Sequence, residues 1–271
     1  MRIRISHRTT YRYDEQATYA IQAIRLTPTS HVGQRVAHWR VFSEHHKRLP
    51  ETEDGNGNIV TTHTVNFPHQ RSEIIVEGVV ELDPTNGVVA GTREHLPLPY
   101  YLRTTDLTEV GPHITELVAG LSTQTLPARQ MIEAIMHNVR RRLDYQQGQT
   151  GVATSAEQAL SIGAGVCQDH THVLLAAART LGLPARYVSG YLCTGEEDEE
   201  ATHAWAEVYS VDEGWLAVDP SNDRVVTDAY VRVAVGLDYW QAAPIRGVWR
   251  GGSEEAMDVL VQIRQIGAQQ Q

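Results

Sequence analysis

The sequence predicts an α+β protein of two successive modules: a β-rich, sandwich-like first module, then helices followed by a group of strands. Three observations predict it. Apolar residues recur at a period near two over residues 1 to about 100, prolines and glycines gather at residues 82–102, and the period then becomes helical. At 271 residues the chain is ample for two domains of ordinary size.

In the first module the runs "RIRISHRTTYRY", "YAIQAIRLTP", "QRVAHWRVF", "NIVTTHTVNF" and "EIIVEGVVEL" alternate apolar or β-branched with polar side chains. Each would turn one face to a core and one to water. "EDGNGN", from Glu53 to Asn58, is a turn signal, because Gly55 and Gly57 accept positive φ and their Asn and Asp neighbours tolerate it. Antiparallel meanders follow. The stretch "LDPTNGVVAGTREHLPLPYYL" reads as the passage between modules, so the boundary is expected at residue 102, dividing the chain into 1–102 and 103–271.

Beyond it, Met131, Ile132, Ile135, Met136, Val139 and Leu143 recur at helical spacing, with Pro127 suited to the first turn. Thr154 and Glu157 have the spacing of a capping box for a short helix that stops before "GAG". A further helix runs through "VCQDHTHVLLAAARTLGLP", with Gly182 and Pro184 as its stop. Three strand-like runs come next: "ARYVSGYLC", "HAWAEVYSV" and "GWLAVDP".

Charge narrows the function classes. With 23 basic against 33 acidic residues the net charge is −10, a surface that repels a phosphate backbone, so nucleic acid is not an expected partner. The opening "MRIRISHRTTYRYD" lacks an apolar signal core, and no run of about 18 apolar residues follows, so a cytoplasmic protein without a membrane span is expected. "IGAGVC" is not a dinucleotide loop, since Gln168 stands at the third glycine position, and no cofactor is expected. The acidic "EEDEE" (196–200) reads as a solvated loop whose field could draw a cationic substrate, and the "QQQ" tail as frayed.

Cys167 and Cys193 are the chain's two cysteines. Cys167 falls at the first turn of its predicted helix, where unpaired N–H groups and the positive end of the dipole favour a thiolate. The same groups can receive an oxyanion, with the N–H of Cys167 as one donor. Amide chemistry also needs an acid for the leaving nitrogen, and a histidine oriented by a carboxylate is the usual solution. His203 opens one strand and Asp219 closes the next. A turn centred on Glu213 puts Asp219 opposite Glu207 and leaves it roughly 13 Å from His203. A five-residue loop from Tyr209 to Glu213 pairs the two directly, and the spacing permits both registers.

The segments "GVCQDHTHVLLAAARTLGLPARYVSGYL", "HAWAEVY", "GWLAVDPSN" and "VRVAVGLDYWQAAPIRGVWRG" resemble the bacterial transglutaminase-like family, densely from about Leu143 to Gly251. Residues 1 to about 80 resemble the β-rich region attached to that core. The resemblance implies a papain-like transglutaminase core with Cys167 as nucleophile, His203 as general acid/base and Asp219 as the orienter of His203. It implies acyl transfer from a peptide or protein amide through a thioester, ending in hydrolysis or in transamidation by an amine. Where the family carries Phe and Ala after "CQD", this chain has His170 and Thr171, and Leu237 stands where Arg is customary.

Other readings stand beside this one. A non-catalytic binding module could keep the fold. Zinc could be held by Cys167 with His170, His172, His203 or Cys193, but 170 and 172 point in different directions on a helix, so no metal is expected. Asp169 is placed to satisfy N–H groups of the first turn. Trp205 and Gln168 are the candidate substrate-binding residues, against core packing for Trp205.

Overall fold

The computed structural model describes residues 1–46, 48–121, 126–195, 202–252 and 254–267; the acidic run at 196–200 and the glutamine tail lie outside them. The alternating runs become β1 (Arg2–Ala17), β2 (Tyr19–Thr27), β3 (Gln34–Ser43), β4 (Glu51–Glu53), β5 (Ile59–Val65), β6 (His69–Leu82) and β7 (Val88–Val89). Burial follows the pleat, as in β1, where Ile3, Ile5 and His7 are buried while Arg4, Ser6 and Arg8 are exposed. In the turn between β4 and β5 only Gly57 takes positive φ, at 79°. Asp54 replaces the second glycine, its Oδ1 accepting from the N–H groups of Asn56 and Asn58.

The helical region contains α1 (Pro112–Leu117), α2 (Ala128–Arg142), α3 (Ala156–Ile162) and α4 (Cys167–Thr180), with β8 (Asp144–Tyr145) and β9 (Ala164–Gly165) as a short parallel pair. α2 starts directly after Pro127 and buries Met131, Ile132, Ile135, Met136 and Val139. The capping box of α3 is Ser155 with Gln158, one residue beyond the expected Thr154 and Glu157. Each of those two is engaged elsewhere. The Thr154 hydroxyl accepts from the N–H of Gly151, and the Glu157 carboxylate caps α1 by accepting from the N–H groups of His113 and Ile114.

The chain continues through β10 (Ala185–Leu192), β11 (Thr202–Ser210), β12 (Gly214–Asp219), β13 (Arg224–Val225), β14 (Tyr230–Gly236), α5 (Tyr239–Ala242), β15 (Ile245–Arg250) and β16 (Glu255–Gln265). One sheet has the order β13-β12-β11-β10-β14. α4 lies on it, buried at every position from Asp169 to Arg179, and shares a core with Ala204, Ala206 and Val208 of β11. Alternation sends Trp205 and Glu207 to the opposite face. There Val188, Ala217, Tyr230 and Val235 gather round Trp205, while Tyr191 and Val231, paired across β10 and β14, join the apolar core of the first module.

The expected division at residue 102 does not describe the sheets. β16 pairs with β1, from Ile3 against Gln265 to Tyr13 against Glu255, and β15 pairs with β2. The first module's two sheets therefore run β16-β1-β6-β3 and β15-β2-β5-β4. Nothing in the local patterning of 245–265 tells of the partners these strands find more than 200 residues upstream. No helix among the described residues is long and apolar enough to cross a membrane.

Candidate active site

Cys167 is the first residue of α4, free and partly exposed. Its N–H, at the first helical position, has no acceptor within the helix. Four hydrogen bonds fix this turn. Asp169 Oδ2 accepts from the N–H of Val166 at 2.8 Å and from the Thr150 hydroxyl at 2.6 Å. The Thr171 hydroxyl donates to the Cys167 carbonyl at 2.7 Å, and Gln146 N–H donates to the Gly165 carbonyl. A Cβ on Gly165 would lie 2.7 Å from the Asp169 side chain, so glycine is needed for that approach. Burial pushes the Asp169 carboxyl above its usual range, against the bonds from Thr150 and Val166.

The hairpin of β11 and β12 pairs Glu207 with Ala217 and Ser210 with Gly214, a register between the two considered from spacing. Continued past the last pair, Ala206 against Val218, it sets Asp219 against Trp205, on the face that also carries His203. The side chains close the remaining gap, with His203 Nε2 donating to Asp219 Oδ2 at 2.7 Å. The Cys167 side chain lies beside His203, both lining one cleft and close enough for the sulfur to act on the imidazole. Cys167, His203 and Asp219 are thus brought together at one place.

Burial works against a charge on His203, but its bond to Asp219, the neighbouring Cys167 and the negative charge of those groups outweigh it, raising the imidazole to about 10. Asp219 is fully buried. Burial alone would push its carboxyl up; His203, Asn222 and Ser221 hold it well below the usual carboxylate range. Its Oδ1 accepts from the N–H and hydroxyl of Ser221 and the N–H of Asn222, while Oδ2 accepts from Asn222 Nδ2 and from the Tyr230 hydroxyl, both at 2.7 Å. Ser221, Asn222 and Tyr230 were missed from sequence. The "DPSN" turn could have pointed to the first two, because an Asp commonly accepts from N–H groups two and three residues on. Nothing local points to Tyr230.

A cleft of about 160 Å³ opens beside Cys167 and His203, lined also by Gln168, Gly190, Tyr239 and Pro244. Gln168 reaches the cleft while its Nε2 donates to the Val152 carbonyl. Trp205 does not line it. At 1% exposure it stacks behind His203, ring centroids 6.3 Å apart, and meets Tyr230 edge-on. A larger cavity of about 380 Å³ lies at the module junction, among Ser30, Glu53, Asn56, Arg93 and Arg232, away from the thiol.

Gly190 pairs directly with His203 across the strands. A Cβ there would fall 2.1 Å from the Val231 carbonyl and 2.6 Å from the Trp205 ring. Gly190→Ala is expected to destabilise the protein by about 1–3 kcal/mol, read as a lowered thermal midpoint, because neither backbone nor indole can retreat.

His170 is fully buried, its ring nitrogens facing the carbonyls of Val166 and Leu143 at 2.9 and 3.0 Å. His172 is a core residue whose Nε2 accepts from the N–H of Tyr239, and burial, then Arg179, lowers it to about 3. Their ring contacts leave neither positioned to share a metal with Cys167. Among the described residues no group of three or more His, Cys, Asp or Glu side chains is arranged to hold an ion.

Residues 115–220 match the model of the transglutaminase-like superfamily, and residues 3–81 that of the bacterial transglutaminase-like N-terminal region. An uncharacterized protein of Mycobacterium leprae is 33% identical over 98% of this chain and 99% of its own length. The chain belongs to the bacterial transglutaminase-like family. An uncharacterized protein of Mycobacterium tuberculosis is 32% identical over 97% of this chain and 92% of its own. Among solved structures, a candidate cysteine protease from Cytophaga hutchinsonii shares the fold of this transglutaminase-like protein, with a TM-score of 0.78 and 16% identity over 100% of this chain and 92% of that one. The transglutaminase-like fold supports cysteine-based acyl transfer in general.

Proposed function

We propose that this transglutaminase-like protein is a cysteine-dependent amide hydrolase or acyltransferase acting on peptide or protein amides. The observation that carries this reading is the His203–Asp219 hydrogen bond in the cleft that Cys167, at the start of α4, also lines. The Cys167 thiolate attacks the amide carbonyl and forms the C–S bond, while charge gathers on the carbonyl oxygen near the N–H of Cys167. The C–N bond then breaks as the His203 imidazolium gives its proton to the leaving nitrogen. Asp219 keeps the ring aligned and offsets its charge. Water resolving the thioester gives a carboxylic acid; a primary amine gives a new amide.

Intact-mass analysis after incubation with peptide libraries and a primary amine tests this. Wild type is expected to cleave, deamidate or aminate a subset of peptides and to carry an acyl adduct, whereas Cys167→Ala does none of these. If wild type and Cys167→Ala leave every peptide alike and no adduct forms, the protein is a non-catalytic binding module and this reading fails.

A further inference from the structure

β14 is the last strand of its sheet, on the side that faces the first module. Two side-chain amides from that module close its outer edge. Gln34 Nε2 donates to the Arg232 carbonyl at 2.9 Å and Gln34 Oε1 accepts from the Arg232 N–H at 2.8 Å. Three residues on, Asn58 Nδ2 donates to the Val235 carbonyl at 2.7 Å and Asn58 Oδ1 accepts from the Val235 N–H at 2.8 Å. Each amide takes the place of a peptide group in a neighbouring strand, and each is 3% exposed. Between the two clamps the pairing of β14 with β10 shifts register, Ser189 facing Ala234 and Gly190 facing Arg232. That bulge sets the aim of the residues before it.

Tyr230 lies two positions before Arg232, on the same face, and its hydroxyl donates to Asp219 Oδ2. That oxygen receives three donors, His203 Nε2, Asn222 Nδ2 and the Tyr230 hydroxyl, each at 2.7 Å. They share one negative charge, so the strength of any one bond depends on the other two.

We propose that Tyr230 is a positioning residue for Asp219, held in place by the first module through the amide clamps of Gln34 and Asn58 on β14. The first module thereby becomes part of what aligns His203. The importance of this for catalysis rests on the function proposed above; the coupling itself does not. Groups facing the His203–Asp219 pair are Cys167 from α4 and Tyr230 from β14, with Arg224 of β13 beside Tyr230 and Tyr145 of β8 beside both Cys167 and Asp219.

The test follows the His203 ring by NMR against pH in the full chain carrying Cys167→Ala. In Tyr230→Phe one donor is gone, the remaining charge on Oδ2 concentrates on His203, and its titration is expected to rise by about half a pH unit, roughly threefold in the ionisation constant. Gln34→Leu frees β14 and is expected to shift it in the same direction. The double variant should shift no further than Tyr230→Phe alone, since both act through one hydroxyl. Should Gln34→Leu not fold, Gln34→Met keeps the unbranched shape, removes the amide that meets Arg232 and Thr29 without adding a charge, and carries the same expectation. A folded Gln34 variant with an unmoved His203, or shifts that simply add, overturns the proposal. Failure of the amide chemistry would appear in the mass assay and leave this titration as it is.

Discussion

Replacing His203 with alanine is expected to lower amide turnover by about 10⁴-fold, measured as kcat on whichever peptide the mass assay identifies. The size follows from three tasks resting on one ring. It takes the thiol proton, its cation then faces the sulfur, and it later protonates the leaving nitrogen. The raised position of His203 keeps that cation in place at neutral pH, so the alkaline limb of the rate profile is expected well above the ordinary histidine value. Iodoacetamide gives a readout that needs no substrate. Labelling of Cys167 at neutral pH is expected to be slower in His203→Ala than in wild type. Equal labelling rates in the two proteins would show that the ring does nothing for the sulfur.

Glu207→Gln is expected to cost about 3–5 kcal/mol of stability, which for a chain of this size lowers the thermal midpoint by roughly 10 °C. Glu207 is fully buried between two guanidiniums: Arg186 Nε donates to Oε2 at 2.6 Å and Arg232 Nε to Oε1 at 2.7 Å. Arg186 also lies 3.9 Å from the centre of the Trp215 ring. Glutamine keeps the shape and removes the charge, leaving Arg232 uncompensated and Arg186 with Glu94 alone. Burial alone would raise the Glu207 carboxyl; Arg232 and Arg186 overcome it and hold the group at about 2. Because the folded value is depressed, this stabilisation is fully present above the unfolded value near 4.5 and is lost as pH falls through about 2. Glu207→Gln should therefore flatten the acid side of the stability profile while lowering its plateau. A variant as stable as wild type at neutral pH would refute the argument.

The parts of the fold legible in the sequence were those whose cause is local. The pleat of β1, the apolar stripe of α2 and the stop of α4 are written in consecutive side chains, and so is the order of Cys167, His203 and Asp219. Register was less accessible. A change of one residue at the tip of the β11–β12 hairpin slides Asp219 along the strand, and the observed register falls between the two that spacing allowed. Competition hid the cap of α3, because Glu157 serves α1 instead of its own helix. Tyr230 and Trp205 were hidden for a third reason. Their roles arise where β14 and β11 are brought beside β12, and no periodicity in one strand reveals what another strand places against it.

The pairing of β1 with β16 has a consequence for how the chain is made. Residues 2–17 leave the ribosome well before residues 255–265, one of their two partner strands, so the sandwich lacks an edge while everything between them is made. The helix-and-sheet unit between them contains its own core and can collect its contacts earlier. During synthesis β1 offers an open hydrogen-bonding edge to anything nearby, and closure by the late strand is the step that shelters it.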